Sequence, residues 1–231
     1  MTADQLYAVI EATWPPAATR RDGDWTLRDG AGGGKRVSAA TLDGAGAWDA
    51  QSAQSPALVM VRAGEDRLDA VLAGQGYAVA DPTVAYACPV AALTGAPLPP
   101  VSSFALWPPL AIQRDLWAEG GIGPERVAVM ERAGGPRAAI LARHNDQPAG
   151  TGFVAIHDNV AMIHAIEVTP AMRRQGVGAN ILRRAALWAQ HQGATTLALL
   201  VTRANAPANA LYSSLGMQIV GHYHYRTKEG A

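Results

Sequence analysis

The segment that most constrains this chain is EVTPAMRRQGVGANIL at 167–182. It overlaps the end of an apolar run, VAMIHAIEV at 160–168, which reads as a strand stopped by Thr169-Pro170. It leads into an amphipathic helix with Ile181, Leu182, Ala185, Trp188 and Ala189 on one face, closed by Gly193. A strand, a basic glycine turn and a helix start together make an anion site. The first turn of a helix leaves backbone N–H groups unpaired and carries the positive end of the dipole. Gly176 and Gly178 let that backbone approach a phosphate closely, and Arg173 and Arg174 add charge, so the turn suits a pyrophosphate. Two rival phosphate motifs fail on spacing. There is no GxGxxG here, and RDGAGGGKR at 28–36 offers GxxxGK followed by Arg36 where a P-loop needs one more residue and a Ser or Thr. That glycine-rich stretch reads as a flexible hairpin.

Charge narrows the partner. Lys plus Arg and Asp plus Glu are 19 each among 231 residues, which argues against a nucleic-acid or anionic-membrane surface. The single cysteine, Cys88, excludes an internal disulfide framework and a cysteine-based zinc cage, and reads as a small buried hydrophobe. No apolar run approaches the ~20 residues that cross a bilayer, and the first residues, MTADQLYAVIEA, carry acids where a signal peptide carries bases. A cytoplasmic location is the expectation.

The length allows one large domain or two small ones. Residues 3–13 predict a helix ended by Trp14-Pro15-Pro16, and 25–28 and 36–42 predict strands around the glycine turn. A strand at 57–62, a helix at 65–74 and a strand at 77–88 follow. TGAPLPPVSS at 94–103 reads as a linker with a boundary near 100, giving a small α/β domain at 1–95 and a second domain at 104–231. The second half predicts a helix at 110–119, strands at 126–131, 137–143, 150–157 and 160–168, the helix after the glycine turn, and a buried strand at 195–201. Asn205 is a good N-cap with Pro207 in the first turn of a helix that runs to Leu215 and stops at Gly216, before a last strand at 217–226.

RRQGVG at 173–178 resembles the Arg/Gln-x-x-Gly-x-Gly/Ala signature of the GNAT superfamily of N-acetyltransferases, preceded by the usual Val-x-Pro at Val168-Thr169-Pro170. NAPANALY at 205–212 and the following SSLGM resemble that superfamily's Asn-x-x-Ala-x-x-Leu-Tyr helix and closing Gly-Phe, with Met217 in place of Phe. The resemblance covers roughly 105–231 and implies a mixed α/β (α+β) fold. Its mostly antiparallel sheet, flanked by helices, is splayed at the cofactor and here preceded by the smaller α/β domain. It implies acetyl-CoA as co-substrate, with pyrophosphate on Arg173, Arg174, Gln175, Gly176, Val177, Gly178 and Ala179 and pantetheine along Ile166 and Val168. Asn205, Ala208 and Tyr212 then lie near the thioester. Tyr212 matches the family's general acid, and a phenol is reliably protonated at neutral pH.

The base is open between two residues. His164 has an ordinary pKa near 6.5 that suits the task. Glu167 competes, although strand alternation puts it on the opposite face from His164 unless a bulge intervenes. LALLV at 197–201 offers no carboxylate. The acceptor is expected to be a primary amine on a small molecule or peptide, with no nucleic acid, membrane or metal involved and the oligomeric state open between monomer and homodimer. His222 and His224 share a strand face without a third ligand nearby, and His144 with Asp146 and His157 with Asp158 fall in predicted hairpin turns. A non-catalytic acyl-CoA-binding regulator and a peptide α-amine acetyltransferase are the alternatives, the second resting on YHYR at 223–226. A weak internal repeat at an offset of 140 lays LDAVLAGQGYAVAD at 68–81 on ALYSSLGMQIVG at 210–221 and pairs Leu72 with Tyr212 and Glu65 with Asn205. The first half therefore resembles a shortened GNAT-like unit without the cofactor chemistry.

Overall fold

Apolar runs from both halves of the chain hydrogen-bond into one eight-stranded sheet. The computed structural model describes residues 1–43 and 55–228. Helix α1 (Ala3–Thr13), capped by the Thr2 side chain, precedes a small three-stranded sheet of β1 (Ala18–Asp22), β2 (Trp25–Asp29) and β3 (Thr41–Leu42), with the single-turn α2 (Lys35–Ser38) between β2 and β3. The first half then gives β4 (Leu58–Arg62), α3 (Asp66–Gly74), β5 (Ala78–Pro89) and the short α4 (Ala91–Thr94). The second gives β6 (Ser103–Leu106), α5 (Ala111–Glu119), α6 (Pro124–Arg132), β7 (Arg137–His144), β8 (Gln147–His157) and β9 (Val160–Val168). After the glycine turn come α7 (Val177–His191), β10 (Thr196–Thr202), α8 (Ala206–Ser214) and β11 (Gln218–Thr227).

Strand order in the large sheet is β4-β11-β5-β10-β9-β8-β7-β6, antiparallel except for β9 and β10. The sheet thus runs through residues on both sides of 94–103, and β5 of the first half lies between β10 and β11 of the second. Helix α7 packs on one face, burying Ile181, Leu182, Ala185 and Ala189 against Val154, Ile163, Leu197 and Leu199. Each large aliphatic chain removed from water there is worth about 1.5–3 kcal/mol. The opposite face is covered by α1 over Met162, Ala198, Tyr223 and Tyr225, and by α5 and α6 over Ala139, Phe153 and Ala155.

Two expectations are corrected. Residues 126–131 are not a strand but lie in helix α6, where Pro124 at the first turn and Glu125 beside it are helix-start signals that outweigh the local alternation of Val127 and Val129. Within 36–42 only Thr41–Leu42 is strand, because Gly34 at φ 95° turns the chain into the single helical turn at Lys35. The glycine stretch before it is tightly packed. A Cβ on Gly33 would lie 2.5 Å from Val129 Cγ2, and one on Gly30 would collide with Ser38 Oγ.

The internal repeat is visible in the sheet itself. Helices α3 and α8 begin and end at positions separated by the same 140-residue offset, and Gly76 and Gly216, which end them, have φ values of 84° and 79°. The registers exchange under it too: Gln218↔Ala87 becomes Ala78↔Thr227, Arg62↔Tyr223 becomes Thr202↔Thr83, and Tyr223↔Thr83 maps onto itself. A pseudo-two-fold axis therefore passes through the β5·β11 pairing. The two copies differ at the ends of β4 and β10. Where β10 ends in Thr202, β4 ends in Arg62, whose guanidinium binds Asp43 (2.9 Å), Glu65 (2.6 Å) and the Leu42 carbonyl (2.5 Å) and ties β3, β4 and the start of α3 together.

Candidate active site

The parallel pairing of β9 with β10 runs from Val160↔Thr196 to Ile163↔Leu199 and then ceases, although both strands continue. The opened end is held on one side by a bulge. Phe153 pairs with His164 and Thr151 with Glu167, so Gly152 faces two residues, and Ala165 takes φ 50°. The Ala165 carbonyl, turned out of the ladder, accepts from Trp117 Nε1 at 2.8 Å, which fixes the bulge from α5. One consequence concerns the rival bases. The bulge shifts the alternation by one and places His164 and Glu167 on the same face of β9, opposite Ile163.

A cleft of about 690 Å³ opens between the end of β9, the 172–179 turn and α8. Ile166, Val168, Arg173, Arg174, Gly176, Val177, Gly178, Ala179, Asn205, Ala208 and Tyr212 all line it, together with Glu167. Gln175 does not; its side-chain amide donates to the Ala171 carbonyl at 2.9 Å and braces the turn from behind. Arg174 at φ 63° and Gly176 at φ 79° are the two left-handed positions of the turn, and the second of them opens directly into the first turn of α7, whose leading N–H groups have no intrahelical partner. Arg173 Nε donates to the Val168 carbonyl at 3.2 Å, tying the turn to the end of β9. A Cβ at Gly176 meets nothing within 4 Å, and one at Gly178 would stand 3.1 Å from Leu211 Cδ2. Open, cationic and rich in backbone donors, this turn fits the pyrophosphate of a coenzyme A.

Asn205 caps α8, its Oδ1 accepting from the Ala208 N–H at 3.2 Å. Two turns on, Tyr212 is 6% exposed with its ring 5.7 Å from that of Tyr86. Burial pushes its phenol up to about 12, and among the described residues nothing hydrogen-bonds its hydroxyl. Glu167 is half-buried, and burial raises its carboxyl above the ordinary range while Arg173 partly offsets this. Its side chain lies over Gly120 at the end of α5, where a Cβ would collide with Glu167 Cγ. Neither Gly120 nor Trp117 carries a motif, so sequence reading had no signal for them.

His164 is differently placed. It is 4% exposed, does not line the cleft, and sits 5.0 Å from the Trp14 ring. Arg36 Nη1 lies 3.2 Å from Nδ1, and because guanidinium only donates, Nδ1 is the acceptor. Nε2–H then donates to Thr13 Oγ1 (2.9 Å), whose hydroxyl donates to the Val9 carbonyl (2.6 Å). Burial and the neighbouring Arg36 charge hold its pKa well below the usual value. No group of three metal-binding side chains occurs among the described residues, and His224 instead pairs with Asp69 at 2.7 Å.

Residues 107–217 match the model of the Acetyltransferase (GNAT) family. That segment, just under half of the chain, is a GNAT-family acetyltransferase segment. A GCN5-related N-acetyltransferase from Kribbella flavida superposes with a TM-score of 0.69 at 17% identity, covering 99% of this chain and 96% of that one. A tandem GNAT protein from the clavulanic acid biosynthesis pathway superposes with a TM-score of 0.60 at 15% identity, over 96% of this chain and 86% of that one. Both likenesses are of fold. In sequence, streptothricin acetyltransferase of Streptomyces lavendulae is 42% identical over 59 residues, 26% of this chain. YobR of Bacillus subtilis, an uncharacterised N-acetyltransferase, is 31% identical over 77 residues, 33% of this chain. The matched segments span 31% of the length of either relative. The expected mixed α/β GNAT fold, with its splayed and mostly antiparallel sheet, is the one observed. Among the described residues no helix is long and apolar enough to cross a membrane.

Proposed function

We propose that this protein transfers the acetyl group of acetyl-CoA to a primary amine on a small molecule or peptide. The observation that carries this reading is the meeting, in one cleft, of the anion-binding turn at 173–179 with Tyr212 and Glu167. Bound acetyl-CoA supplies the activated thioester carbonyl. The turn N–H groups, with Arg173 and Arg174, hold the pyrophosphate, and the unpaired edges of β9 and β10 accept the extended pantetheine arm by backbone hydrogen bonds.

Glu167 acts as the base and Tyr212 as the acid. An alkylammonium of pKa ~10.4 costs about 4–5 kcal/mol to present neutral at pH 7, so a proton acceptor beside it is needed. Glu167, its carboxyl raised by burial, takes that proton in its ionised form, directly or through a water. Tyr212 keeps its proton over the whole working range and gives it to the departing thiolate. His164 holds Arg36 and Thr13 in place and is assigned no proton transfer, since its accepting nitrogen is occupied. Residues 1–95 are read as the shortened copy of the second-half unit, walling the acceptor side.

The base assignment is tested by pH. For wild type, kcat/KM should rise with pH through a midpoint above the ordinary carboxylate range, because the base must lose its proton to work. Glu167→Gln should lower the rate and remove that limb, whereas His164→Asn should leave the limb in place; the reverse pattern makes His164 the base. Gly120→Ala provides an independent check, since Gly120 has φ outside the left-handed region and the three atoms nearest an added Cβ all belong to the Glu167 side chain. It should lower kcat about tenfold with the KM for acetyl-CoA unchanged. An unchanged kcat would mean that Glu167 need not sit where it does.

A further inference from the structure

Tyr86 belongs to the first half of the chain yet stands where the sheet of the second half opens. On β5 it is the register partner of Leu199, and Leu199 is the last residue of β10 still paired with β9. Its side chain is buried and meets α8 in two ways. The ring lies 5.7 Å from that of Tyr212, tilted by 59°, and the hydroxyl lies 3.2 Å from Asn209 Oδ1. The Asn209 amide fixes the sense of that bond. Its other end stands 3.0 Å from the Thr202 carbonyl and 2.8 Å from the Asn205 carbonyl; two acceptors require Nδ2 there, so Oδ1 faces Tyr86 and the phenol donates. Tyr86 thereby holds a side chain that ties the end of β10 to the first turn of α8, the turn capped by Asn205. Asn205 and Tyr212 line the cleft; Tyr86 and Asn209 stand behind them.

The 140-residue offset repeats this arrangement with other chemistry. It carries Tyr86 onto Arg226 and Asn209 onto Asp69, and Arg226 Nε and Nη2 donate to the Asp69 carboxylate at 2.7 and 3.0 Å. Each half thus sends a strand into the other and clamps the other's helix. The partners decide which residue stands on the helix. Asp69 is met by donors, Arg226 and His224 (2.7 Å), and a carboxylate only accepts; Asn209 donates to two carbonyls, which an aspartate there would repel. Beyond the clamp the copies part. Leu72 occupies the place of Tyr212, so the Arg226 clamp has no proton donor to hold. The Tyr212 hydroxyl, by contrast, is there but has no hydrogen-bond partner among the described residues, so packing sets its position and Tyr86 supplies a ring against it.

We propose that Tyr86 is a positioning residue for acetyl transfer, set by the first half of the chain: it places Tyr212 by direct ring contact and, through Asn209, by anchoring the helix that carries it. The inference rests on the acetyl-transfer reading. Steady-state thiol release and calorimetric titration with acetyl-CoA on full-chain variants test it. Tyr86→Leu should lower kcat about tenfold while the Kd for acetyl-CoA changes less than about twofold, because the pyrophosphate turn at 173–179 lies outside these contacts. Tyr86→Phe keeps the ring and loses only the bond to Asn209, and should recover part of the rate. In a Tyr212→Phe background, Tyr86→Leu should cost less than about twofold, since a residue that acts through the phenol has nothing left to act on. Arg226→Gln breaks the equivalent clamp on α3 and should lower the thermal midpoint with kcat unchanged. Should Tyr86→Leu fail to fold, Tyr86→Met, closer in volume, takes its place in the same comparisons. A wild-type kcat in Tyr86→Leu, an undiminished loss in the Tyr212→Phe background, or an equal loss in Arg226→Gln would each overturn the role and leave the acetyl-transfer reading standing. Wild-type protein that releases no thiol with any amine would overturn that reading, and the role with it.

Discussion

Tyr212→Phe is expected to lower kcat by about 10²-fold while changing the affinity for acetyl-CoA less than about twofold. The substitution removes one oxygen from a side chain whose ring is already 6% exposed and packed 5.7 Å from Tyr86, so the wall of the cleft survives. What is lost is the only function assigned to the hydroxyl, donation of a proton to the thiolate that leaves. The raised pKa fixes the sign of the pH effect. With the phenol at about 12, Tyr212 remains protonated below pH 10, so wild-type activity should show no alkaline fall attributable to this residue. Steady-state thiol release and calorimetry on the two proteins decide the matter; an unaltered rate would remove Tyr212 from the chemistry.

Gly176→Glu should cost at least about 10²-fold in acetyl-CoA affinity. Two effects act together. Gly176 stands at φ 79°, where an L-residue is strained by roughly 1–2 kcal/mol, so the leading turn of α7 and its N–H groups are distorted. The new carboxylate also sits at a helix N-terminus as a resident anion, competing with the pyrophosphate for the same donors. Because a Cβ at this position meets no neighbour within 4 Å, the rest of the fold should be untouched, and the thermal midpoint separates loss of the site from loss of the protein. Gly176→Ala isolates the strain, and should bind more tightly than Gly176→Glu. Calorimetric titration giving wild-type affinity for the glutamate variant would refute the cradle.

Those predictions depend on parts of the molecule that were legible in the sequence to different degrees. The glycine turn, the helix after it and the Asn205 cap were readable because their physics is local: positive-φ glycines, an amphipathic stripe and a side-chain oxygen three residues before its N–H donor. The pairing of the sheet was not. That β5 slips between β10 and β11 is a long-range choice, and the 140-residue offset hinted only at like units, not at their interleaving. Helix α6 was misread because Val127 and Val129 are both buried, in one apolar cluster with Trp14, Trp117 and Phe153, and a two-residue spacing of buried positions imitates a strand. The candidate base shows the limit most clearly. Alternation along β9 is broken by one residue at Ala165, and what breaks it is a hydrogen bond from Trp117, forty-eight positions earlier in the chain. Arg36 likewise lies in a stretch that looks like flexible glycine, and its side chain meets His164 of the sheet, 128 positions away.

The most direct measurement is release of free thiol from acetyl-CoA, read with a thiol reagent, across polyamines, amino acids, aminoglycosides, and peptides with free termini or lysines, alongside calorimetric binding of acetyl-CoA to the same protein. The account predicts binding of acetyl-CoA and thiol release that depends on one class of amine, abolished together by Gly176→Glu and uncoupled by Tyr212→Phe, which should bind without turning over at the wild-type rate. Tight binding of acetyl-CoA with no amine-dependent release from any class would contradict it and make the cleft that of a non-catalytic acyl-CoA-binding regulator.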